Sequence, residues 1–142
     1  MAIIRPFRGI RFNQEICKNP GLNISPPFDA ITPKLNEALH RRSEYNIVRL
    51  EIARRNTSDE SFHEVAFTQF EWLKSEILIK DKEPALYVTE EEFNYRGEIF
   101  FRRGIIAAVR LEDYESSIIF PHENVRNEWV DERVKLMEVG KS

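Results

Sequence analysis

Apolar residues recur at helical spacing in three segments of the chain. The first begins at Thr32-Pro33, because Thr suits the N-cap and Pro the first helical position, and it ends on the basic run His40-Arg41-Arg42. The last places apolar residues of the segment 130–137 on one face. The longest begins at Ser58 or Asp59 and carries an inward stripe made of Phe62, Val65, Ala66, Phe70, Leu73 and Ile77. The pattern therefore predicts three helices of unequal length.

Other segments alternate apolar and polar side chains, as half-buried strands do. Segment 2–12 does so around several arginines and is bent by a proline and a glycine, and segment 46–53 alternates apolar with charged residues. Segments 85–93 and 99–111 are rich in aromatic and β-branched residues and flank a turn, so they predict a hairpin. A further short strand is predicted at 117–120. Strands joined by hairpins and mixed with helices predict an α+β fold, a single domain over residues 1–142 with a mixed, mainly antiparallel sheet.

Composition narrows the class of protein. Apolar residues make up 42% and charged residues 32% of the 142-residue chain, which is typical of a globular domain and excludes a disordered or collagen-like chain. The net charge of -3 provides no global positive field, so no nucleic-acid partner is expected. No apolar run approaches the ~18–20 residues that cross a bilayer, and Arg5 interrupts the N-terminal apolar residues before the core of a signal peptide. With Cys17 as its single cysteine, the chain is expected to be cytoplasmic, with no internal disulfide and no membrane partner.

The strongest candidate for chemistry is the polar segment 121–126, between the last predicted strand and the last helix. The N–H groups at a helix N-terminus attract anions, and His122 and Arg126 would add positive charge there. Glu123 has the chemistry of a general base or a magnesium ligand. The alternative is a solvated loop whose polar residues cap the helix.

Asp29 is a second candidate for catalysis. It follows Pro26-Pro27-Phe28, and the two prolines stiffen the segment that presents the carboxylate. The alternative is that Asp29 accepts hydrogen bonds from backbone N–H groups in an Asx-turn before the Thr32 cap.

Two arginines are candidate anion ligands. Arg8 is the middle one of three arginines at three-residue spacing, and Arg103 precedes Gly104 on a predicted strand, where a small residue would let an anion approach the backbone. The alternative for Arg103 is an ion pair with one of the glutamates 90–92 across the hairpin. The three histidines lack metal-ligand spacing, so no metal site is predicted, and no motif identifies a cofactor.

Seven short segments are spread in order over nearly the whole chain: 1–12, Pro26-Pro27-Phe28-Asp29-Ala30-Ile31, Tyr45-Asn46-Ile47-Val48-Arg49-Leu50-Glu51, Pro84-Ala85-Leu86-Tyr87-Val88, Arg102-Arg103-Gly104-Ile105-Ile106-Ala107, Val109-Arg110-Leu111-Glu112-Asp113-Tyr114 and Pro121-His122-Glu123. Together they resemble the family of conserved proteins known as domain of unknown function 1015. The resemblance implies a match to the N-terminal part of longer proteins, which gene context links to serine-biosynthesis enzymes. Where the family has His-Glu-Arg-Thr, this chain has His122-Glu123-Asn124-Val125, so it lacks an arginine and a hydroxyl suited to an anion.

The resemblance leaves two functions open, one related to an enzyme and one not. The layout of an N-terminal Arg-Pro-x-Arg segment with a polar box at a helix start is similar to the nucleotide-binding superfamily of partition protein ParB, sulfiredoxin and the free-serine kinases. The first hypothesis is therefore a phosphate- or nucleotide-binding domain related to phosphotransfer on a small metabolite. The second is a non-catalytic interaction or regulatory module that binds a protein partner or forms a homo-oligomer.

Overall fold

The computed structural model describes residues 1–52, 59–121 and 127–140. Its α-helices are α1 (Pro20–Asn23), α2 (Pro33–Arg42), α3 (Asp59–Lys74) and α4 (Asn127–Val139). Its strands are β1 (Ile4–Arg5), β2 (Ile10–Phe12), β3 (Leu78–Lys80), β4 (Tyr87–Tyr95), β5 (Glu98–Ile106) and β6 (Ala108–Val109). They form three two-stranded sheets, β1 with β6, β2 with β3 and β4 with β5. The predicted α+β class with mainly antiparallel pairing is confirmed, although the described residues form four α-helices where three were predicted.

The chain divides into two compact units. Unit 1 comprises Met1–Ile10 and Lys80–Asn124, and unit 2 comprises Arg11–Ile79 and Val125–Ser142. The strands β1, β4, β5 and β6 belong to unit 1, and all four helices belong to unit 2. The interpretation of residues 1–142 as a single domain stays a prediction.

Unit 2 holds the apolar core of the described chain. Its buried apolar side chains are Cys17, Leu39, Val48, Val65, Trp72 and Leu78. Trp72 lies at the centre of an aromatic group, with its ring centroid 5.9 Å from that of Phe12 and 6.1 Å from that of Tyr45. Helix α2 begins as predicted, because the Thr32 hydroxyl accepts a hydrogen bond from the Leu35 N–H at 3.3 Å.

Helix α3 buries a different face from the predicted one at its C-terminal half. Val65 is buried as predicted, but Phe70 is 60% exposed and Trp72 is buried in its place. The Phe70 side chain lines a cavity of about 440 Å³ beside the end of α4. The stripe was wrong here because helical periodicity identifies an apolar face only when apolar residues are confined to it, and α3 carries phenylalanines on more than one face.

The strand predicted at 46–53 is wrong where the structure describes it. Residues Ile47–Leu50 form a 3₁₀ turn instead, and Asn46 begins it by accepting a hydrogen bond from the Val48 N–H at 3.1 Å. The Asn46 amide also donates to the carbonyl oxygens of Leu22 at 2.7 Å and Ile24 at 3.0 Å. This fully buried side chain replaces the backbone pairing that a strand would need.

The hairpin of unit 1 follows the predicted one closely. Strands β4 and β5 pair antiparallel over nine residues each, from Tyr87 opposite Ile106 to Tyr95 opposite Glu98. The two residues of the turn, Arg96 and Gly97, have φ of 53° and 87°, as a type I′ turn requires.

The N-terminal segment pairs with residues that flank this hairpin in the sequence. Ile4 lies opposite Val109 in β1 and β6, and Phe7 forms an isolated antiparallel bridge with Ala85. The strand predicted at 117–120 is wrong, because Ser117 adopts a left-handed conformation with φ of 54° at the end of a 3₁₀ turn.

Candidate interaction surface

Strands β4 and β5 expose apolar side chains on both of their faces. Eight of these side chains are between 41% and 73% exposed, and together they form the hairpin surface: Val88, Phe93, Tyr95, Ile99, Phe100, Phe101, Ile105 and Ile106. Because neighbouring residues of a strand point to opposite faces, the adjacent pair Phe100 and Phe101 places an aromatic ring on each face. Large exposed apolar patches mark sites of interaction in soluble proteins.

Unit 1 lacks an apolar core among its described residues. Every buried apolar side chain of the described chain belongs to unit 2, and the strand residues of β4 are exposed from Glu90 to Tyr95. An isolated two-stranded hairpin is marginally stable in water unless a further strand or a packed surface adds to it. The hairpin would therefore gain stability by binding a further strand or by packing against another surface.

Charged pairs cross the hairpin between the apolar residues. Arg102 Nε lies 3.1 Å from Glu91 Oε2, and Arg103 Nε lies 2.7 Å from Glu90 Oε2. The Arg103 side chain is 74% exposed, so this ion pair contributes little to stability. The contact matches the alternative that the sequence offers for Arg103, and anion binding by this residue stays a prediction.

A groove of about 290 Å³ lies on one face of the β1–β6 pair in unit 1. Arg5 and Arg110 line it together with Ile3, Ala108 and Val109. The Arg110 Nε donates to Glu112 Oε1 at 2.6 Å, whereas the described residues provide no hydrogen bond or ion pair for the Arg5 guanidinium. The groove therefore combines an apolar floor with the positive charge of Arg5, which no described residue neutralises.

Arg8 is held close to the base of β4, within unit 1. Its Nε donates to the Asp81 carbonyl oxygen at 2.7 Å. Beside it, the Tyr87 hydroxyl accepts a hydrogen bond from the buried Gly9 N–H at 2.6 Å and donates to Asp81 Oδ2 at 2.7 Å. The Phe7 and Tyr87 rings have centroids 5.2 Å apart. These contacts fix the backbone that carries Arg8, and its predicted role in anion binding stays untested.

Asp29 is exposed in unit 2, within the 3₁₀ turn Phe28–Ala30. No hydrogen bond of its carboxylate to another described residue is found, so the Asx-turn is not seen there. Its neighbour Phe28 contacts Arg133 of α4, whose Cζ lies 4.2 Å from the ring centroid. Arg133 also donates from Nη1 to Glu51 Oε2 at 3.0 Å and from Nη2 to the Glu51 carbonyl oxygen at 3.2 Å.

The Phe28–Glu51–Arg133 contacts were missed from the sequence. The three residues lie far apart along the chain, and no local pattern links them. The cation–π contact with Arg133 gives the aromatic residue beside Asp29 a packing role, and the hydrogen bonds to Glu51 hold Arg133 in place.

The remaining candidates, His122, Glu123 and Arg126, lie outside the described residues, and their roles stay predictions. Burial raises the pKa of the Cys17 thiol, which makes it a poor nucleophile. Within the described ranges, no cluster of three or more His, Cys, Asp and Glu side chains is placed to hold a metal ion. Over the same ranges, no helix has both the length and the apolar character needed to span a bilayer.

Comparison with known proteins identifies a family. The chain matches the family model described as "Protein of unknown function (DUF1015)" over residues 4–141. No curated protein and no solved structure matches the chain.

Proposed function

The chain belongs to the DUF1015 family, and on that premise we propose that it is a non-catalytic interaction module that self-associates through the hairpin surface. The observation that carries this proposal is the exposure of apolar side chains on both faces of β4 and β5, in a unit whose described residues bury no apolar side chain. Burial of apolar surface stabilises an assembly by ~25 cal/mol per Å² before the costs of association are subtracted. Association would therefore bury apolar surface that the described residues of unit 1 leave exposed.

The test compares two phenylalanines of unit 1 by sedimentation velocity. Phe101 lies in the hairpin surface and is 58% exposed, whereas Phe120 lies outside it and is 71% exposed. The wild-type chain should sediment as an assembly, Phe101→Ser should shift it towards the 16.8 kDa monomer, and Phe120→Ser should behave as wild type. A wild-type chain that remains monomeric at ~100 μM, where weak interfaces are populated, would overturn the proposal.

The groove beside β1 supports a second candidate, the phosphate- or nucleotide-binding function. Arg5 is the group expected to contact an anion, because its charge has no partner among the described residues. His122, Glu123 and Arg126 stay predicted residues for this function, as do Arg8, Arg103 and Asp29. A ligand that binds the folded chain at ~100 times its Kd stabilises it by roughly 2.7 kcal/mol.

Thermal denaturation with a panel of nucleotides, phosphoserine and serine, each with magnesium, tests this candidate. A phosphorylated ligand should raise the Tm of wild type and not that of Arg5→Gln, while the control Arg41→Gln, an exposed arginine of α2, should respond as wild type does. An equal response of the Arg5 and Arg41 variants would exclude the groove as the site.

A further inference from the structure

We infer that the self-association proposed above joins the β5 strands of two copies, antiparallel, about a twofold axis at Phe100. This inference rests on the proposed function and adds to it the partner, the edge and the register. It follows from the free edge of β5, the order of side chains along that edge and the charges of β4.

The outer edge of β5 has backbone groups available for a further strand. In the described chain β5 pairs only with β4. The turn joins Tyr95 and Glu98 as a hydrogen-bonded pair, and hydrogen-bonded and non-hydrogen-bonded pairs alternate along an antiparallel ladder. The N–H and C=O groups of Ile99 and Phe101 therefore point away from β4.

The side chains of β5 are complementary to a second β5 in one register. With Phe100 opposite Phe100 of the second copy, Ile99 lies opposite Phe101, and Glu98 lies opposite Arg102. The twofold axis repeats each of these pairs. The pairing therefore places opposite charges at both ends of an apolar centre, and opposite charges and aromatic pairs stabilise neighbouring strands. Ile99 and Phe101 also form hydrogen-bonded pairs in this register, as their backbone orientation requires.

Neighbouring registers lose this complementarity. A slip of two residues towards the turn places Arg96 opposite Arg102 of the second copy, and like charges directly opposite are destabilising. A slip of two residues the other way places Arg102 opposite Phe100 and leaves Glu98 opposite Gly104. The charges at the ends of the apolar run thus select one register.

The outer edge of β4, unlike that of β5, carries charges that disfavour pairing with a second copy. Glu90, Glu91 and Glu92 are consecutive, so every twofold register centred on one of them places glutamate opposite glutamate. Charged residues on an edge strand are a device against further pairing. Assembly through β5 therefore stops at a dimer whose sheet has the strand order β4-β5-β5-β4.

Cysteine pairing tests the register. Cα atoms of a hydrogen-bonded antiparallel pair are about 5.5 Å apart, which suits a disulfide. Ile99→Cys and Phe101→Cys are prepared separately, mixed in equal amounts and oxidised with diamide. The mixture should yield a cross-linked dimer, whereas either variant alone should yield much less. The wild-type chain, whose Cys17 is buried, controls for its own oxidation.

A charge reversal gives a second measurement that does not alter an apolar residue. Glu98→Arg places arginine opposite arginine at both ends of the pairing and should weaken the dimer about tenfold in sedimentation equilibrium. Glu92→Arg makes the same change on β4, away from the joined edges, and should not weaken it.

The outcomes separate the inference from the proposed function. A wild-type dimer in which the mixture fails to cross-link, or in which Ile99→Cys alone cross-links efficiently, overturns the register while self-association stands. Assemblies that grow beyond twice the 16.8 kDa chain mass overturn closure at a dimer, since pairing of β4 with β5 of the next copy is open-ended. A wild-type chain that stays monomeric overturns both.

Discussion

Removing a single hydroxyl group in unit 1 should destabilise the chain measurably. The Tyr87 hydroxyl accepts a hydrogen bond from the Gly9 N–H at 2.6 Å and donates to Asp81 Oδ2 at 2.7 Å. Tyr87→Phe keeps the ring, which contacts Phe7, and removes only the oxygen. The change therefore isolates the hydrogen bonds from the packing.

The size of the expected loss in stability follows from the two groups that lose a hydrogen-bond partner. Gly9 is buried, so its N–H loses its partner without water to replace it, at a cost of ~1–3 kcal/mol. The Asp81 carboxylate is only half-buried, so water can replace the lost donor there at little cost. We expect the free energy of unfolding to fall by ~2 kcal/mol, which lowers the Tm by ~4–8 °C for a chain of this size.

Urea denaturation followed by far-ultraviolet circular dichroism measures the change. The matched control is Tyr95→Phe, since Tyr95 is 54% exposed and no hydrogen bond of its hydroxyl to a described residue is found. This control should lie within ~0.5 kcal/mol of wild type. If Tyr87→Phe is as stable as the control, the hydroxyl does not hold the Gly9 backbone and the reasoning is refuted.

Three further predictions concern unit 2. Asn46→Ala removes a buried side chain with three hydrogen bonds to backbone groups, so urea denaturation should show a loss of ~3 kcal/mol or more, and a loss under ~1 kcal/mol would contradict the capping role. Arg133→Lys keeps the charge but loses the guanidinium contact with the Phe28 ring and the paired hydrogen bonds to Glu51, so the same assay should show a loss of ~1 kcal/mol, and equal stability would argue against those contacts. The pKa values of Cys17 and Tyr45 are raised, mainly by desolvation, above the ordinary 9.0 and 10.0, so the unfolded chain ionises first as the pH rises. The free energy of unfolding should therefore be constant below pH ~9 and fall as the pH rises above it. Cys17→Ala should make this fall with pH less steep, and an unchanged steepness would contradict its assignment to the thiol.

Local signals account for the elements that could be predicted. Helix α2 is specified by Thr32 and Pro33 at its start, and the hairpin by Arg96-Gly97 between two runs of aromatic and β-branched residues. Each signal acts within a few residues along the chain. The 3₁₀ turn after Asn46 depends instead on carbonyl groups more than twenty residues earlier, so alternation along the sequence pointed to a strand.

The candidate site was predicted less well for the same reason. The sequence singled out charged residues such as Arg103 as candidates for the site. The contact of Arg103 with Glu90 depends on the register in which β4 and β5 pair. The hairpin surface did have a signal: Phe100-Phe101 and Ile105-Ile106 are adjacent apolar pairs, and a strand with one face in water would alternate there. Which face is covered, and by what, depends on partners that local patterns do not encode.

The place of Trp72 in the aromatic core gives unit 2 an optical reporter of its own. The chain has two tryptophans, Trp72 and Trp129, and both belong to unit 2. Tryptophan emission excited near 295 nm therefore follows the melting of unit 2, whereas a substitution such as Tyr87→Phe acts in unit 1. If Tyr87→Phe also shifts the midpoint of the unfolding transition followed by tryptophan emission, the two units unfold cooperatively. If it does not shift that midpoint, they unfold independently.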